Sequence, residues 1–250
     1  MEITQFGQQS GLPPHDVVKL PTEGIFYKNK KKSLKVGFLT ANDENLLMGG
    51  ESSNNDGLIL TLIKSKIFES DIKADDLMDG DIQAILIFLR NTAFGPEYNF
   101  TLIDPETNKE FSSTITLDEL NIKRGKVQPN EYGLFETQLP KSNKLIKLKP
   151  LSIGEQNEID RLAQNYPVGR IPPKQTWRLS KMIVEMDGNN DIGYISQEIE
   201  RLPLSDAKYI RKFIEENEPR LDLVKKVKAP SGKEVLVNVA FGVEFFRPFF

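Results

Sequence analysis

The sequence predicts an α+β fold of two similar units, each with short strands, capped helices and a terminal β-hairpin. In residues 33–39 apolar and other residues alternate with the period of two that is typical of a half-buried strand. Further along, apolar residues recur at the i, i+3, i+4, i+7 spacing of an amphipathic helix, at Ile82, Ile85, Leu86 and Leu89. The chain has 250 residues, of which 38% are hydrophobic, so it can bury a sizeable core.

The first unit can be followed element by element. Residues 1–16 are predicted to form a flexible arm, because they are rich in proline near their end and show no apolar period. Two short strands then flank a turn from Pro21 to Gly24, and Thr40 is predicted to cap a helix. The remaining elements are a loop at 49–57, helices over 58–68 and 79–92, and a hairpin over 98–117 that turns at 104–108.

The second half repeats this order with small insertions. Ser152 and Glu155 form the pattern of a capping box at the start of a helix. Matching pairs lie at slowly growing offsets: Leu34 and Ile146 are 112 residues apart, Ile67 and Ile183 are 116 apart, and the pairs Asp81 with Asp206 and Pro105 with Pro230 are 125 apart. Insertions of this kind belong in surface loops, so the pattern favours an internal duplication.

This repetition predicts the domain organisation. The first α+β unit is assigned to residues 17–122 and the second to residues 134–250, which ends in an aromatic tail. Residues 123–133 are assigned to a linker between them. Units of this size lie within the usual range for domains.

Composition excludes several kinds of chemistry. The chain has no cysteine, which removes disulfides, iron–sulfur clusters, thiolate zinc sites and thiol nucleophiles. Its one histidine, His15, lies in the predicted arm with no catalytic partner nearby in sequence. The net charge is −3, which gives no global attraction for nucleic acid. The residues therefore specify no enzyme and imply no cofactor.

One acidic loop resembles a calcium site. Asp187, Asn189, Asp191 and Glu198 fall at positions 1, 3, 5 and 12 of such a loop, where oxygen ligands are needed. The glycine stands at position 7 instead of position 6, which argues against the site. The alternative is an ordinary Asn- and Gly-rich turn between helices, and we expect no metal.

The C-terminal tail is the most unusual feature of the sequence. Residues 241–250 contain five phenylalanines together with an arginine and a proline. The tail either folds back onto its own hairpin or docks into a partner, where aromatic and arginine side chains supply concentrated interface energy. The candidate partner-binding residues are Phe245, Phe246, Arg247, Phe249 and Phe250.

Three segments together resemble a known family. They are the run 20–27 (Leu-Pro-Thr-Glu-Gly-Ile-Phe-Tyr), the helix-to-hairpin region 86–98 with its continuation 115–120, and the end 243–248. They are similar to the baseplate hub and hub-assembly proteins of T-even-like contractile-tailed phages. In such relatives the hairpin turn carries Cys-x-x-Cys, like a zinc ribbon. Here 104–107 and 229–232 occupy the two turns without a thiol, which implies degenerate ribbons without metal.

The resemblance implies a non-enzymatic viral protein that acts in assembly of the central baseplate hub, as an assembly chaperone or a minor hub component. Its partners would be other phage baseplate hub proteins, held by the hairpin edges and the aromatic tail. The polar start and the lack of long apolar runs predict no membrane association and a place in the host cytoplasm. Two alternatives remain: a small calcium- or magnesium-dependent enzyme or metal-binding protein using the loop 187–198, and a nucleic-acid adaptor using Lys225, Lys226 and Lys228.

Overall fold

The structure, a computed structural model, describes residues 13–48 and 55–246. Most of the predicted arm and of the predicted loop 49–57 lies outside these ranges. The first half of the chain contains β1 (His15–Lys19), β2 (Ser33–Gly37), α1 (Ala41–Met48), α2 (Asn55–Lys66), α3 (Asp79–Phe94), β3 (Glu97–Ile103), β4 (Glu110–Thr116) and β5 (Ile122–Lys123). The second half contains β6 (Phe135–Gln138), β7 (Leu145–Leu148), α4 (Ile153–Gln164), α5 (Lys174–Met182), β8 (Ile183–Met186), α6 (Ile192–Glu200), α7 (Leu204–Asn217), β9 (Arg220–Leu221), β10 (Val224–Lys228) and β11 (Glu234–Asn238). Helices and small antiparallel sheets confirm the α+β prediction.

The first half begins with an antiparallel pair, β1 and β2. The Asp43 carboxylate, on the third residue of α1, accepts hydrogen bonds from the amide and hydroxyl of Thr40 just before the helix, which is the reach-back half of a capping box. It also pairs with Lys66 at 2.5 Å, which ties α1 to the end of α2. After α2 the chain pairs with β2 through an isolated antiparallel β-bridge between Val36 and Ile67. It then continues into α3.

The second half follows a closely related order. Strands β6, β7 and β8 form an antiparallel sheet, in which Leu148 pairs with Ile183 at the end of α5. This pair corresponds to Val36 and Ile67 at the offsets found in the sequence. The predicted capping box is present: the Glu155 amide donates to the Ser152 hydroxyl, and the Ser152 amide donates to the Glu155 carboxylate. The division of the chain into separate units at 123–133 stays a prediction.

The described residues form two buried clusters. One is built from residues 18–117, and the other from residues 135–214. Phe26 packs against both clusters, and Val239, Phe245 and Phe246 belong to the first cluster although they lie far along the chain. The C-terminal segment therefore completes the core formed by the first half.

The two halves meet at close backbone contacts. A Cβ atom on Gly80, near the start of α3, would lie 2.3 Å from the carbonyl oxygen of Pro219, so only glycine fits there. The Ile153 amide donates to the Leu77 carbonyl at 2.9 Å, and the Val127 amide donates to the Asn217 side chain at 2.9 Å. The start of α3 is thus fixed against the end of α7.

Some local predictions were wrong. The run Ile25 to Tyr27 forms a turn instead of a strand, because Tyr27 is held by a buried carboxylate described below. His15 and Asp16, assigned to the arm, belong to β1. The Asn- and Gly-rich turn of 187–191 is present but lies between β8 and α6 instead of between two helices, and Asp191 caps α6 by accepting from the Tyr194 amide at 2.7 Å.

Candidate partner-binding surfaces

The aromatic tail is packed inside the chain as far as the structure describes it. Phe245 is 1% exposed and Phe246 is 3% exposed. The Phe245 ring lies 5.5 Å from the Tyr98 ring and 4.9 Å from the Phe241 ring, centroid to centroid. These contacts agree with self-packing, so a partner reaches Phe245 or Phe246 only if the segment leaves the core. Arg247, Phe249 and Phe250 lie outside the described residues.

Arg90, on α3, links the tail and the first hairpin through hydrogen bonds and ring contacts. Its guanidinium donates to the carbonyl of Gly95 at 2.7 Å and to that of Glu97 at 2.9 Å, and it is only 2% exposed. The same group lies 5.1 Å from the Tyr98 ring and 5.6 Å from the Phe245 ring, which allows cation–π contact with both. Burial lowers the pKa of Arg90 from its usual value. This arginine therefore organises the core beneath the tail.

Asp81, at the start of α3, accepts hydrogen bonds from the segment 20–27, the first of the three segments that carry the family resemblance. Its carboxylate is fully enclosed and accepts from the Thr22 amide at 3.0 Å, the Thr22 hydroxyl at 2.6 Å and the Tyr27 hydroxyl. The Tyr27 oxygen in turn accepts from the Met78 amide. Burial raises the pKa of both Asp81 and Tyr27. The segments that carry the family resemblance thus surround α3 as structural elements.

Asp206 plays a related part at the start of α7. It accepts from the amides of Lys141 and Ser142 at 2.8 Å each. Its enclosure acts to raise the pKa, but the hydrogen bonds from Ser142 and Lys141 prevail and lower it. In both halves a buried aspartate, Asp81 on α3 and Asp206 on α7, therefore accepts hydrogen bonds from the turn that follows a Leu-Pro pair.

The two hairpins meet at their turns. The Asp104 carboxylate accepts from the Ser231 amide at 3.0 Å and from the Ser231 hydroxyl at 2.7 Å. It also accepts from the Glu106 amide within its own turn. Enclosure acts to raise its pKa, yet these hydrogen bonds lower it to about 2. The two thiol-free turns are thus joined by a carboxylate.

The strands of both hairpins have open edges. In the described residues β3 pairs only with β4 and β10 pairs only with β11, so the outer side of each strand lacks a neighbouring strand. Aliphatic side chains are exposed along these strands, with Ile103 at 57%, Val224 at 48% and Leu236 at 64%. Unpaired strand edges with apolar side chains are surfaces on which another chain can add a strand.

The candidate calcium ligands serve other roles. Asp187 accepts from the Leu145 amide at 2.9 Å and lies 3.2 Å from the Lys144 ammonium, which also contacts Glu198 at 2.7 Å. Asn189 accepts from the Asp191 amide, and Asp191 caps α6. A cation supplied by the chain itself therefore stands between two of the four proposed ligands. Among the described residues no cluster of His, Cys, Asp or Glu could hold a metal ion.

Glu218, where α7 meets α3, is a half-buried residue whose carboxyl has a perturbed pKa. Its Oε1 atom is enclosed and has no hydrogen-bond partner among the described residues. Burial first, and then the charges of Asp79 and Asp81, raise the pKa of Glu218 to about 8. No local pattern in the sequence indicates this shift, because the acidic cluster forms only when the two halves pack together.

Replacing Glu218 with glutamine is expected to stabilise the protein at alkaline pH. Between the ordinary pKa of 4.5 and about 8 the unfolded chain ionises this carboxyl while the folded chain keeps it protonated, so stability falls as pH rises through that window. Above pH 8 the Glu218→Gln variant should exceed the parent by about 1–3 kcal/mol in free energy of unfolding. Urea unfolding at several pH values tests this, and a difference that does not shrink toward zero near pH 4 contradicts it.

Comparison with known proteins identifies a family. A family model described as T4 bacteriophage base plate protein matches residues 22–247, which is most of the chain. No curated protein and no solved structure matches the chain. Within the ranges that the structure describes, the helices are too short or too polar to cross a membrane.

Proposed function

The chain belongs to the T4 bacteriophage base plate protein family, and from this we propose that it acts without enzymatic activity in assembling the central hub of a contractile phage tail baseplate. It serves as an assembly chaperone or a minor hub component in the host cytoplasm. Its partners are other baseplate hub proteins of the same phage. Family membership supports the baseplate role, and the open hairpin edges support a role in holding partners.

The ladder geometry indicates which backbone groups are available on the second hairpin. Hydrogen bonds run from the Ala229 amide to the Lys233 carbonyl and from the Val239 amide to the Leu223 carbonyl. Because hydrogen-bonded and non-hydrogen-bonded pairs alternate in an antiparallel ladder, the pair Lys226 with Leu236 directs its amides and carbonyls outward. The outer edge of β11 therefore presents a free amide at Leu236, beside an exposed aliphatic side chain.

The arrangement of the acidic groups supports a binding protein over an enzyme. Asp81, Asp104, Asp187 and Asp206 each accept backbone amide hydrogen bonds that fix turns or helix ends. A carboxylate committed to such bonds stabilises local structure and is poorly placed to exchange protons with a substrate.

A proline at position 236 tests the proposed edge. Leu236→Pro removes the outward amide of β11 while leaving the ladder bonds to β10 intact, so it should weaken the addition of a partner strand. The tagged chain would be co-expressed with the other hub proteins of the phage, purified and analysed by mass spectrometry. We expect the parent to retain a hub protein and the proline variant to lose at least about 80% of it, in line with the roughly 1 kcal/mol that one hydrogen bond contributes.

Leu236→Ala is the matched control, because it shortens the same side chain and keeps the amide. It should retain more partner than the proline variant, and both variants should give the circular dichroism spectrum of the parent. Equal retention by the parent and the proline variant would exclude this edge as the docking site. Failure of the parent to retain any hub protein would count against the proposed function itself.

A further inference from the structure

The loop between α4 and α5 contains a hydrogen-bonded turn flanked by prolines. Residues 167–170 form a turn in which the Arg170 amide donates to the Pro167 carbonyl at 3.1 Å. Gly169 has a φ of +80°, as the third position of a type II turn requires. Prolines at 167, 172 and 173 restrict the backbone on both sides of the tip. The backbone of the loop therefore has little conformational entropy left to lose on binding.

The tip of this loop is apolar and makes little contact with its own chain. Val168 is 105% exposed and Ile171 is 92% exposed, the two highest values among the large hydrophobic residues described. The base is fixed by an edge-to-face contact of Tyr166 with Trp177, with ring centroids 5.7 Å apart. Two aliphatic side chains are thus held in water on either side of Arg170, although burying each would be favourable.

An apolar groove of complementary chemistry lies between α2, α3 and α4. Its volume is about 260 Å³, below the range of roughly 300–1,000 Å³ typical of small-molecule pockets. Its lining includes Ile59, Ile63, Ile82, Leu86, Ile153 and Phe241. The carboxylates of Asp79 and Asp160 lie in the same lining. A cavity of this size and polarity suits aliphatic side chains accompanied by a cation.

We propose that the loop tip of one copy of this chain inserts into the groove of a second copy. Val168 and Ile171 pack against the aliphatic lining of the groove, and Arg170 brings a positive charge to Asp79, since Asp160 is already paired with Lys174 of its own chain. The loop does not fill the groove of its own chain, since both aliphatic residues are fully exposed. The inference concerns self-association and does not depend on the proposed hub function.

The positions of loop and groove favour a reciprocal pair. Both features lie at α4: the helix leads into the loop, and its residues Gln156, Asn157 and Asp160 line the groove. Lys174, directly after the loop, pairs with Asp160 at 2.8 Å. Two copies related by a two-fold axis can therefore exchange loops, which buries both tips in one isologous contact.

Sedimentation velocity of the full chain over a range of concentrations tests the proposal. Concentrations up to roughly 1 mM are needed, because contacts that bury less than about 1,200 Å² are weak. The parent should form dimers, and Val168→Asp, which places a charge at the tip, should raise the dissociation constant at least about tenfold. Ile192→Asp changes another exposed aliphatic residue, 78% exposed on α6, and should leave the dimer unchanged.

A complementation experiment separates loop from groove. Asn157→Arg adds a cation at the exposed rim of the groove, where it would repel Arg170 of the other copy. Each of Val168→Asp and Asn157→Arg alone should be monomeric at concentrations where the parent dimerises. A mixture of the two should associate more strongly than either variant alone but more weakly than the parent, because the heterodimer keeps one of the two loop–groove contacts.

Three results would overturn the proposal. The first is a monomeric parent at all concentrations, which would direct attention to another protein as the occupant of the groove. The second is a dimer that persists in both variants. The third is a mixture that associates no more than either variant alone while each variant retains the circular dichroism spectrum and melting temperature of the parent.

Discussion

Phe245→Ala is expected to lower the free energy of unfolding by about 3–5 kcal/mol, the usual cost of removing a buried phenylalanine. Phe245 is 1% exposed, and its ring contacts Tyr98, Phe241 and Phe246. Alanine would leave a cavity between α3 and the first hairpin, and Arg90 would lose one of its two ring contacts. Urea unfolding followed by circular dichroism measures the difference directly.

Tyr132→Ala is a suitable control for this change. It also removes an aromatic ring, but from a side chain that is 75% exposed, so its effect should stay within about 0.5 kcal/mol. Similar losses in the two variants would mean that the tail does not complete the core. The result also bears on truncation, because a chain that ends before Phe245 would lose core packing together with any partner contact. Changes at the hairpin edge therefore test partner binding more cleanly than removal of the tail.

Arg90→Ala is expected to cost about 3–5 kcal/mol as well, for a different reason. The change leaves the carbonyls of Gly95 and Glu97 without their donor and removes the group packed against Tyr98 and Phe245. Buried polar groups left unsatisfied cost about 1–3 kcal/mol each. Arg90→Lys should recover less than half of the loss, since an ammonium lacks the planar fork that reaches two carbonyls while it stacks on a ring.

Arg124→Ala serves as the matched arginine control. Arg124 pairs with Glu23 at the surface, where its side chain is 40% exposed, so its loss should cost no more than about 1 kcal/mol. The double variant Arg90→Ala with Phe245→Ala should show a coupling energy of about 0.5–3 kcal/mol, because the two side chains are in contact. Strictly additive effects would show that Arg90 does not stabilise the packed tail.

Local signals in the sequence predicted the parts of the fold that depend on neighbouring residues. The alternation around Val36 predicted β2, the helical spacing around Ile85 predicted α3, and the Ser152–Glu155 pattern predicted the cap of α4. Both hairpin turns were predicted from their proline-containing segments. Such signals suffice because strand pleat, helix period and capping operate over a few residues.

Contacts between distant segments were not predictable in the same way. The sequence left open whether the aromatic tail packs on its own chain or on a partner, and the structure buries Phe245 and Phe246 beside Arg90. The acidic residues of 187–198 suggested metal ligands, but Lys144 from a neighbouring strand lies between two of them. The sequence shows whether a side chain is apolar or acidic, whereas the residue that it contacts depends on which segments the fold brings together.

The α+β class, the repeated order of elements and the resemblance to phage baseplate proteins can be read from the sequence alone, because all three depend on local pattern. Tertiary packing places the family motifs around α3, joins the two hairpin turns through Asp104 and encloses an oxygen of the Glu218 carboxyl near other acids. It also left Val168 and Ile171 in solvent, while Phe245 and Phe246 of the tail became part of the core. The reason is that burial depends on how distant surfaces pack, and hydrophobic association is non-directional.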